Sequence, residues 1–203
     1  MDHETVLSRG TPTRAAYTFS YLLSLNEELK SSPELPSMVV YLYGYNCLFY
    51  HTGIVHAPEL PAMTLSESCY RSMFSECSSL IEAPKLPAKI TAAYCYYYMF
   101  KQCTSLTEAP ELPAIYTYSY CYAGMFRDCS NLTKAPSILP AKNINTYSYY
   151  AMFYGCSKLT EGPVIMGTTC AQYGMGIMFF QCKKLVTIYP ILVTTLSSTY
   201  CFY

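Results

Sequence analysis

Residues 84–106 read PKLPAKITAAYCYYYMFKQCTSL, and residues 110–132 read PELPAIYTYSYCYAGMFRDCSNL. The second stretch repeats the first after 26 residues, with the prolines, the Met-Phe pair and both cysteines in the same places. The interval continues at 26, 26, 27 and 26 residues along the series Cys77, Cys103, Cys129, Cys156 and Cys182. A fixed period of this size is typical of one supersecondary unit stacked on itself, so it predicts a solenoid.

The repeat divides the chain into two parts. We predict an N-terminal capping helix region at residues 1–32 and a solenoid at residues 33–203, with five coils of about 26 residues and a partial sixth. In the first part, Thr11-Pro12-Thr13 is a helix start signal, and apolar residues recur at helical spacing behind it. This pattern predicts an amphipathic helix over residues 13–30 that covers the first coil.

Positions that stay constant from coil to coil are expected to point inward. They are the leucine of the Pro-x-Leu-Pro motif, the Met-Phe pair, the aromatic residue after the first cysteine and a leucine after the second cysteine. The members are Leu60, Leu86 and Leu112; Tyr70, Tyr96, Tyr122, Tyr149 and Phe202; and Leu80, Leu106, Leu132, Leu159 and Leu185. If this register is right, Phe74, Phe100 and Phe126 line up along one axis.

Secondary structure within a coil is predicted to be short. Apolar residues at i, i+4 and i+5 in Tyr94 to Gln102 favour a short helical turn. Leu106 to Ala109 is expected to be a short strand that pairs in parallel with its neighbours, and the prolines limit its length because proline donates no ladder hydrogen bond. The predicted fold is an α/β repeat, a solenoid of short parallel strands and short helical turns.

The composition narrows the function. Thirteen basic and thirteen acidic residues give a formal charge of zero, which offers no electrostatic footprint for nucleic acid. No apolar stretch reaches the ~18 residues of a membrane span. Ala15 to Leu25 has the length of a signal-peptide core, but Asp2 and Glu4 precede it and no cleavage site follows. The chain has 23 tyrosines and no tryptophan.

The eleven cysteines fall mostly on two repeat columns. We favour the interpretation that they are reduced and buried, because free cysteine is among the most buried residue types. Disulfides between coils are a second interpretation, since coils about 4.8 Å apart satisfy disulfide geometry. Zinc binding is less favoured, because the Cys-x7-Cys spacing is longer than that of a zinc knuckle. We expect no metal and no cofactor.

The repeat resembles a known family. Residues 103–114 (CTSLTEAPELPA), followed by Cys-Tyr-x-x-Met-Phe-x-x-Cys at Cys121 to Cys129, are similar to the BspA-like leucine-rich repeat family. The resemblance covers about residues 33–203 and implies a right-handed solenoid with a parallel sheet on one side. Members of that family are mostly bacterial surface proteins linked to adhesion and host-protein binding. The resemblance therefore implies a cell-surface or secreted location.

Residues for catalysis are scarce. His51 and His56 lie near Cys47, but no third group is evident that would orient a Cys-His nucleophile. No glycine-rich phosphate loop is present. We therefore expect a protein that is not an enzyme.

Tyrosine, serine and asparagine at the variable positions favour a recognition surface, because tyrosine supplies large contact area at low entropic cost. The predicted binding residues are Lys89, Tyr97, Tyr98, Tyr116, Tyr118, Asn143, Asn145 and Tyr150. The expected partner is a protein or a glycan. In another interpretation, these tyrosines only fill solvent-facing positions of a tyrosine-rich repeat.

A different class of function is a self-assembling structural subunit. The sequence ends within a coil, at Tyr200-Cys201-Phe202, and stacking of another molecule there would bury the last layer. This interpretation predicts a homo-oligomer or a filament through the C-terminal end.

Overall fold

The computed structural model describes residues 16–35, 39–198 and 200–202. The chain winds into stacked coils, and each complete coil contains one segment of consecutive turns. We call these the turn segments; they span 16–25, 42–51, 67–76, 93–102, 119–128, 146–155 and 172–181, and an eighth begins at 200–202. The predicted stacking of equivalent residues is confirmed, because the rings of Phe74, Phe100 and Phe126 stack with centroids 5.6 Å apart.

The turn segments are not helices. Every second N–H donates to the carbonyl three residues earlier, as from Arg71 to Ser68 and from Met73 to Tyr70. The N–H groups between them donate to the next coil, as from Ser72 to Tyr97 at 2.8 Å. In the central coils, backbone donors from Ser68 to Glu76 and from Tyr94 to Gln102 thus have partners, either inside their own segment or one coil further on.

Two helix predictions were therefore wrong. Tyr94 to Gln102 forms a turn segment in which every fourth residue has positive φ, including Tyr98 at 55°. Residues 13–15 of the expected capping helix lie outside the described residues, and residues 16–25 form a further turn segment. There, the N–H groups of Tyr17 and Phe19 donate to Leu42 and Gly44. The division at residue 33, the coil count and the right-handed sense stay predictions.

Short parallel strands flank the turn segments. They are β1 (Val39–Val40), β2 (Thr64–Leu65), β3 (Ile138–Leu139), β4 (Asn143–Ile144), β5 (Val164–Ile165), β6 (Thr169–Cys170) and β7 (Thr195–Leu196). β1 pairs with β2, β3 with β5, and β4 with β6, which also pairs with β7. The expected pairing near Leu106 to Ala109 is a single parallel bridge from Glu108 to Lys134, one of a row that continues to Glu161.

The core is made of columns that run along the stack. Met, Phe, Cys and Leu of the central coils are fully buried, as are the inner tyrosines Tyr70, Tyr96, Tyr122 and Tyr149. The predicted inward columns hold until the last coil, where Leu185 is only partly buried and Phe202 is 51% exposed. The core is therefore continuous, and burial decreases toward the last described coil.

Candidate binding surface

A row of stacked tyrosines runs along the outside of the turn segments. Tyr94, Tyr120, Tyr147, Tyr173 and Tyr200 lie in register, with centroid distances of 4.7, 4.6, 4.8 and 5.4 Å between neighbours. We call this row the tyrosine ladder. Because each ring covers the face of the next, the ladder presents mainly ring edges and hydroxyl groups to solvent.

The ladder is interrupted on its N-terminal side. Tyr17 and Tyr43 stack in the same column at 4.6 Å, but the next coil has Ser68 in this position. Ser68 is fully buried, and its hydroxyl has no hydrogen-bond partner. The uninterrupted part of the ladder therefore begins at Tyr94.

Two of the predicted binding residues contact the ladder, and a third, Tyr98, contacts Tyr97 at 4.1 Å. Tyr97 contacts Tyr94 edge-on at 5.8 Å, and Tyr150 contacts Tyr147 edge-on at 5.1 Å. The ring of Tyr98 lies over Gly124, where a Cβ would come within 2.0 Å of it. Gly124 also has a φ of 59°, so both its conformation and its lack of a side chain suit this position.

Cations lie over several of the outer rings. The Arg71 guanidinium is 5.1 Å from the Tyr97 centroid, and Arg127 is 4.4 Å from that of Tyr154. Arg127 also lies 3.4 Å from the carboxylate of Asp128. Burial raises the pKa of Tyr97, so this phenol stays neutral at physiological pH.

The other predicted residues lie on the strand side of the coils. Tyr116 and Tyr118 are 57% and 54% exposed and alternate with the buried Thr117. Tyr118 precedes the ladder residue Tyr120 by two positions, so the exposed tyrosines are close to the ladder along the chain. Lys89 is also exposed on this side.

The two predicted asparagines hold coils together. The side-chain oxygen of Asn143 accepts a hydrogen bond from the Thr169 hydroxyl at 2.9 Å. The Asn145 amide donates to the carbonyl of Thr117 in the preceding coil. Their side-chain amides therefore already make hydrogen bonds between coils, whereas the rings of Tyr116 and Tyr118 are exposed.

Sequence reasoning missed the ladder as a surface. Its residues were not among the predicted binding residues, although a tyrosine directly before the first-cysteine column recurs at Tyr94, Tyr120, Tyr147, Tyr173 and Tyr200. The recurrence was the available signal. A constant position was expected to point inward, but this one is constant because the rings stack on one another outside the core.

The second cysteine column has a structural role. The Cys103 thiol donates to the carbonyl of Phe74 at 3.0 Å, and the same contact recurs in four other coils. Burial raises the pKa of Cys129 to about 12, so its thiolate is scarce at neutral pH. In the part of the chain that the structure describes, no three or more His, Cys, Asp or Glu residues form a group that could hold a metal ion.

His51 is part of an ion-pair cluster. Its ring nitrogens lie 3.0 Å from Glu27 in the preceding coil and 3.2 Å from Glu76 in the following coil. His51 therefore links three consecutive coils. Cys47 instead contacts the side chain of Asn46, and burial raises the pKa of its thiol. The geometry does not bring Cys47 and His51 together as a nucleophile and base.

The proline-rich side carries shallow grooves between coils. One of about 750 Å³ lies between residues 81–87 and 107–113. Carboxylates on this side are partly engaged, because Glu108 pairs with Lys134 at 2.7 Å and Glu111 accepts from the Ser137 hydroxyl at 2.7 Å. Within residues 16–35, 39–198 and 200–202 there is no helix with the length and apolar character to cross a membrane.

Stacked coils, parallel pairing and buried leucine columns define a solenoid with a tyrosine-rich outer surface. Two solved structures are similar to the chain. A leucine-rich repeat protein from T. pallidum shows 18% identity and a TM-score of 0.39, over 84% of this chain and 70% of that one. One from Bacteroides ovatus shows 16% identity and a TM-score of 0.35, over 84% of this chain and 51% of that one. No protein-family model matches the chain, and no curated protein does.

Proposed function

We propose that the protein is a non-enzymatic binding module that presents its tyrosine-rich surface to a protein ligand. The observation that carries the proposal is the exposure of Tyr116 and Tyr118, at 57% and 54%, four and two positions before the ladder residue Tyr120. Large exposed aromatic side chains on a rigid scaffold are typical anchors of protein interfaces. The stacked coils fix their positions before a ligand arrives, which lowers the entropic cost of binding.

A protein ligand is favoured over a glycan by the geometry of the rings. Sugars stack on exposed aromatic faces, but the faces within the ladder cover one another at 4.6 to 4.8 Å. Phenol hydroxyls and ring edges instead suit the mixed polar and apolar contacts of a protein interface. Glycan binding is the other outcome that the experiment below distinguishes.

The proposal extends to adhesion. The repeat motif resembles the BspA-like family, whose members are mostly bacterial surface proteins, and this resemblance supports a role in attachment to a host protein. A long surface of shallow contacts is consistent with such a role.

The test compares tyrosines of the proposed binding surface with an exposed tyrosine elsewhere on the molecule. The variant Tyr116→Ala/Tyr118→Ala is applied to an array of extracellular-matrix proteins and, in parallel, to a glycan array. Signal on the protein array should fall more than about tenfold, because buried aromatic anchors contribute about 2 kcal/mol or more at interfaces. The melting temperature should not change, since both side chains are exposed.

Tyr189→Ala is the matched control, because Tyr189 is an exposed tyrosine on the proline-rich side, where it lines a groove with Glu111 and Glu161. It should bind as the unmodified protein does. An equal loss in both variants, or no protein retained on the array, would contradict the proposal. Retention on the glycan array alone would reassign the surface to sugars.

End-to-end assembly is a second proposal. It is supported by the way the coils of one molecule stack on one another through backbone hydrogen bonds, such as the one from the Phe153 N–H to the Met178 carbonyl. Light scattering tests it, because a monomer at high concentration contradicts assembly.

A further inference from the structure

Two of the eleven cysteines behave differently from the rest. Cys170 and Cys201 form a disulfide that closes a separation of 31 residues, and the other nine cysteines are free thiols. Eight of the nine free thiols are buried, as the favoured interpretation expects, Cys182 is partly buried, and the interpretation fails for the Cys170–Cys201 pair.

The pair forms because one coil departs from the repeat. Cys201 continues the column of Cys69, Cys95 and Cys121, but the preceding coil has Gly174 in that column. Cys170 instead comes from β6, where the neighbouring coils have Ile144 and Leu196. Its sulfur lies only 2.8 Å from where a Cβ on Gly174 would be, so the missing side chain of Gly174 makes room for it.

The disulfide anchors residues 185–202, which we call the C-terminal strap. Much of the strap is exposed, including Val186 at 85% and Leu192 at 56%. It is otherwise held by eight backbone hydrogen bonds to residues 160–175, which include the pairing of β6 with β7, and by the stacking of Tyr200 on Tyr173. Segments with so little buried surface open locally more readily than core coils.

The free thiols are poor partners for exchange with this disulfide. Thiol exchange requires a thiolate, and burial raises the pKa of Cys121 to about 12 and that of Cys182 to about 11. Cys95 and Cys103 are fully buried, and their pKa values are raised as well. Cys170 and Cys201 are buried as well, so reaction at their disulfide requires local opening of the segment that contains Cys201.

We propose that the Cys170–Cys201 disulfide is reduced and re-formed reversibly. Its redox state controls whether the C-terminal strap stays packed against the preceding coil. A dithiol reductant supplies two electrons and two protons, the S–S bond breaks, and Cys170 and Cys201 become thiols while the reductant becomes a disulfide. A small-molecule disulfide reverses the step by exchange. Reduction lets Tyr200 leave the ladder, so that Tyr173 becomes its last ring.

The first test maps the bond and its selectivity. Protein prepared with oxidised glutathione should give, without reduction, a tryptic product in which residues 159–183 are joined to residues 185–203. After a short pulse of dithiothreitol on the folded protein, N-ethylmaleimide should label Cys170 and Cys201 at least about tenfold faster than Cys95 or Cys103. Eleven alkylatable thiols before reduction, or equal labelling rates after it, would overturn the proposal.

The second test follows the strap itself. Trypsin cuts at the exposed Lys183 and Lys184, and the fragment 185–203 should stay attached in the oxidised protein and separate on gel filtration after reduction. The Cys201→Ser variant should release it without reductant. Cys182→Ser is the matched control, because Cys182 is a free thiol in the same coil, and it should retain the fragment. A fragment that stays bound after reduction of the unmodified protein would contradict undocking.

Discussion

The central coils and the last coil contain the same residue types in the same register, yet they are buried to very different extents. Phe100, Cys103 and Leu106 are completely buried, whereas the equivalent Phe179, Cys182 and Leu185 are only partly buried. In a solenoid, each coil covers one face of its neighbour, so a coil with one described neighbour has half of the protection. Burial here depends on position in the stack more than on residue identity.

The largest expected effect is a difference in the loss of stability between a Phe→Ala change in a central coil and one in the last coil. Phe100→Ala should reduce the free energy of unfolding by about 3–5 kcal/mol, because it removes a ring that packs between two others and leaves a cavity. Phe179→Ala should cost less than half as much, since only Phe153 stacks on it at 5.7 Å among the described rings. Urea unfolding followed by circular dichroism measures both. Equal losses would show that the last coil is as well protected as the central ones.

A smaller change in the free energy of unfolding is expected at a buried, unsatisfied hydroxyl group in the central coils. The Ser148 hydroxyl is buried in the first-cysteine column and has no hydrogen-bond partner. Ser148→Ala should therefore raise the free energy of unfolding by about 1 kcal/mol, because it removes an unsatisfied polar group. The control is Ser157→Ala, which loses a hydrogen bond to the Ser130 carbonyl and should lower stability. A loss of stability in Ser148→Ala would mean that the hydroxyl is bonded after all.

The smallest effect concerns the N-terminal coil and depends on pH. Hydrogen bonds to Glu27 and then Glu76 raise the pKa of His51 above its ordinary value of 6.5, and Lys101 lies 3.8 Å from Glu76 on the far side. Protonated His51 thus stabilises the docking of residues 17–30. This contribution is complete below pH 6.5 and is lost as the pH rises through the raised folded-state value.

Hydrogen exchange of the Tyr17 to Leu25 amides measures this contribution. Exchange at pH 8 should exceed that at pH 5.5 beyond the intrinsic pH dependence, and His51→Asn should remove the difference. His56→Asn should leave it unchanged, because no Glu contact of the kind made by His51 is described for that side chain. A pH-independent exchange ratio in the unmodified protein would show that the ion pairs do not hold this coil.

The sequence allowed the register and most of the core to be predicted, because a fixed period places equivalent residues above one another. It did not allow the turn geometry to be predicted. Apolar residues at i, i+4 and i+5 fit a helical turn, but they equally fit turns that repeat every four residues, as at Tyr94 and Tyr98. Only hydrogen bonds to the next coil separate the two, and these depend on distant residues.

The N-terminal coil shows the same ambiguity. Phe19, Leu22 and Leu23 have helical spacing, so the local pattern favoured a helix. The longer-range pattern was the better guide, since Tyr17 and Phe19 precede Tyr43 and Tyr45 by one repeat and stack on them at 4.6 and 5.5 Å. Of the predicted binding residues, Tyr97 and Tyr150 contact the ladder, and Tyr98 contacts Tyr97. Their role in binding stays a prediction.

The left-handed residues of the turn segments limit how small a piece of this protein can fold. A single segment places Ser68, Ser72 and Glu76 at φ values of 55°, 51° and 66°. Each such residue costs about 1 kcal/mol or more in an isolated peptide. A synthetic peptide of one coil, such as residues 84–109, would therefore be unstructured in water. Duplication of a whole coil in the gene would lengthen the protein without this penalty. Each added coil would form hydrogen bonds with an adjacent folded coil, and these offset the cost of its positive-φ residues.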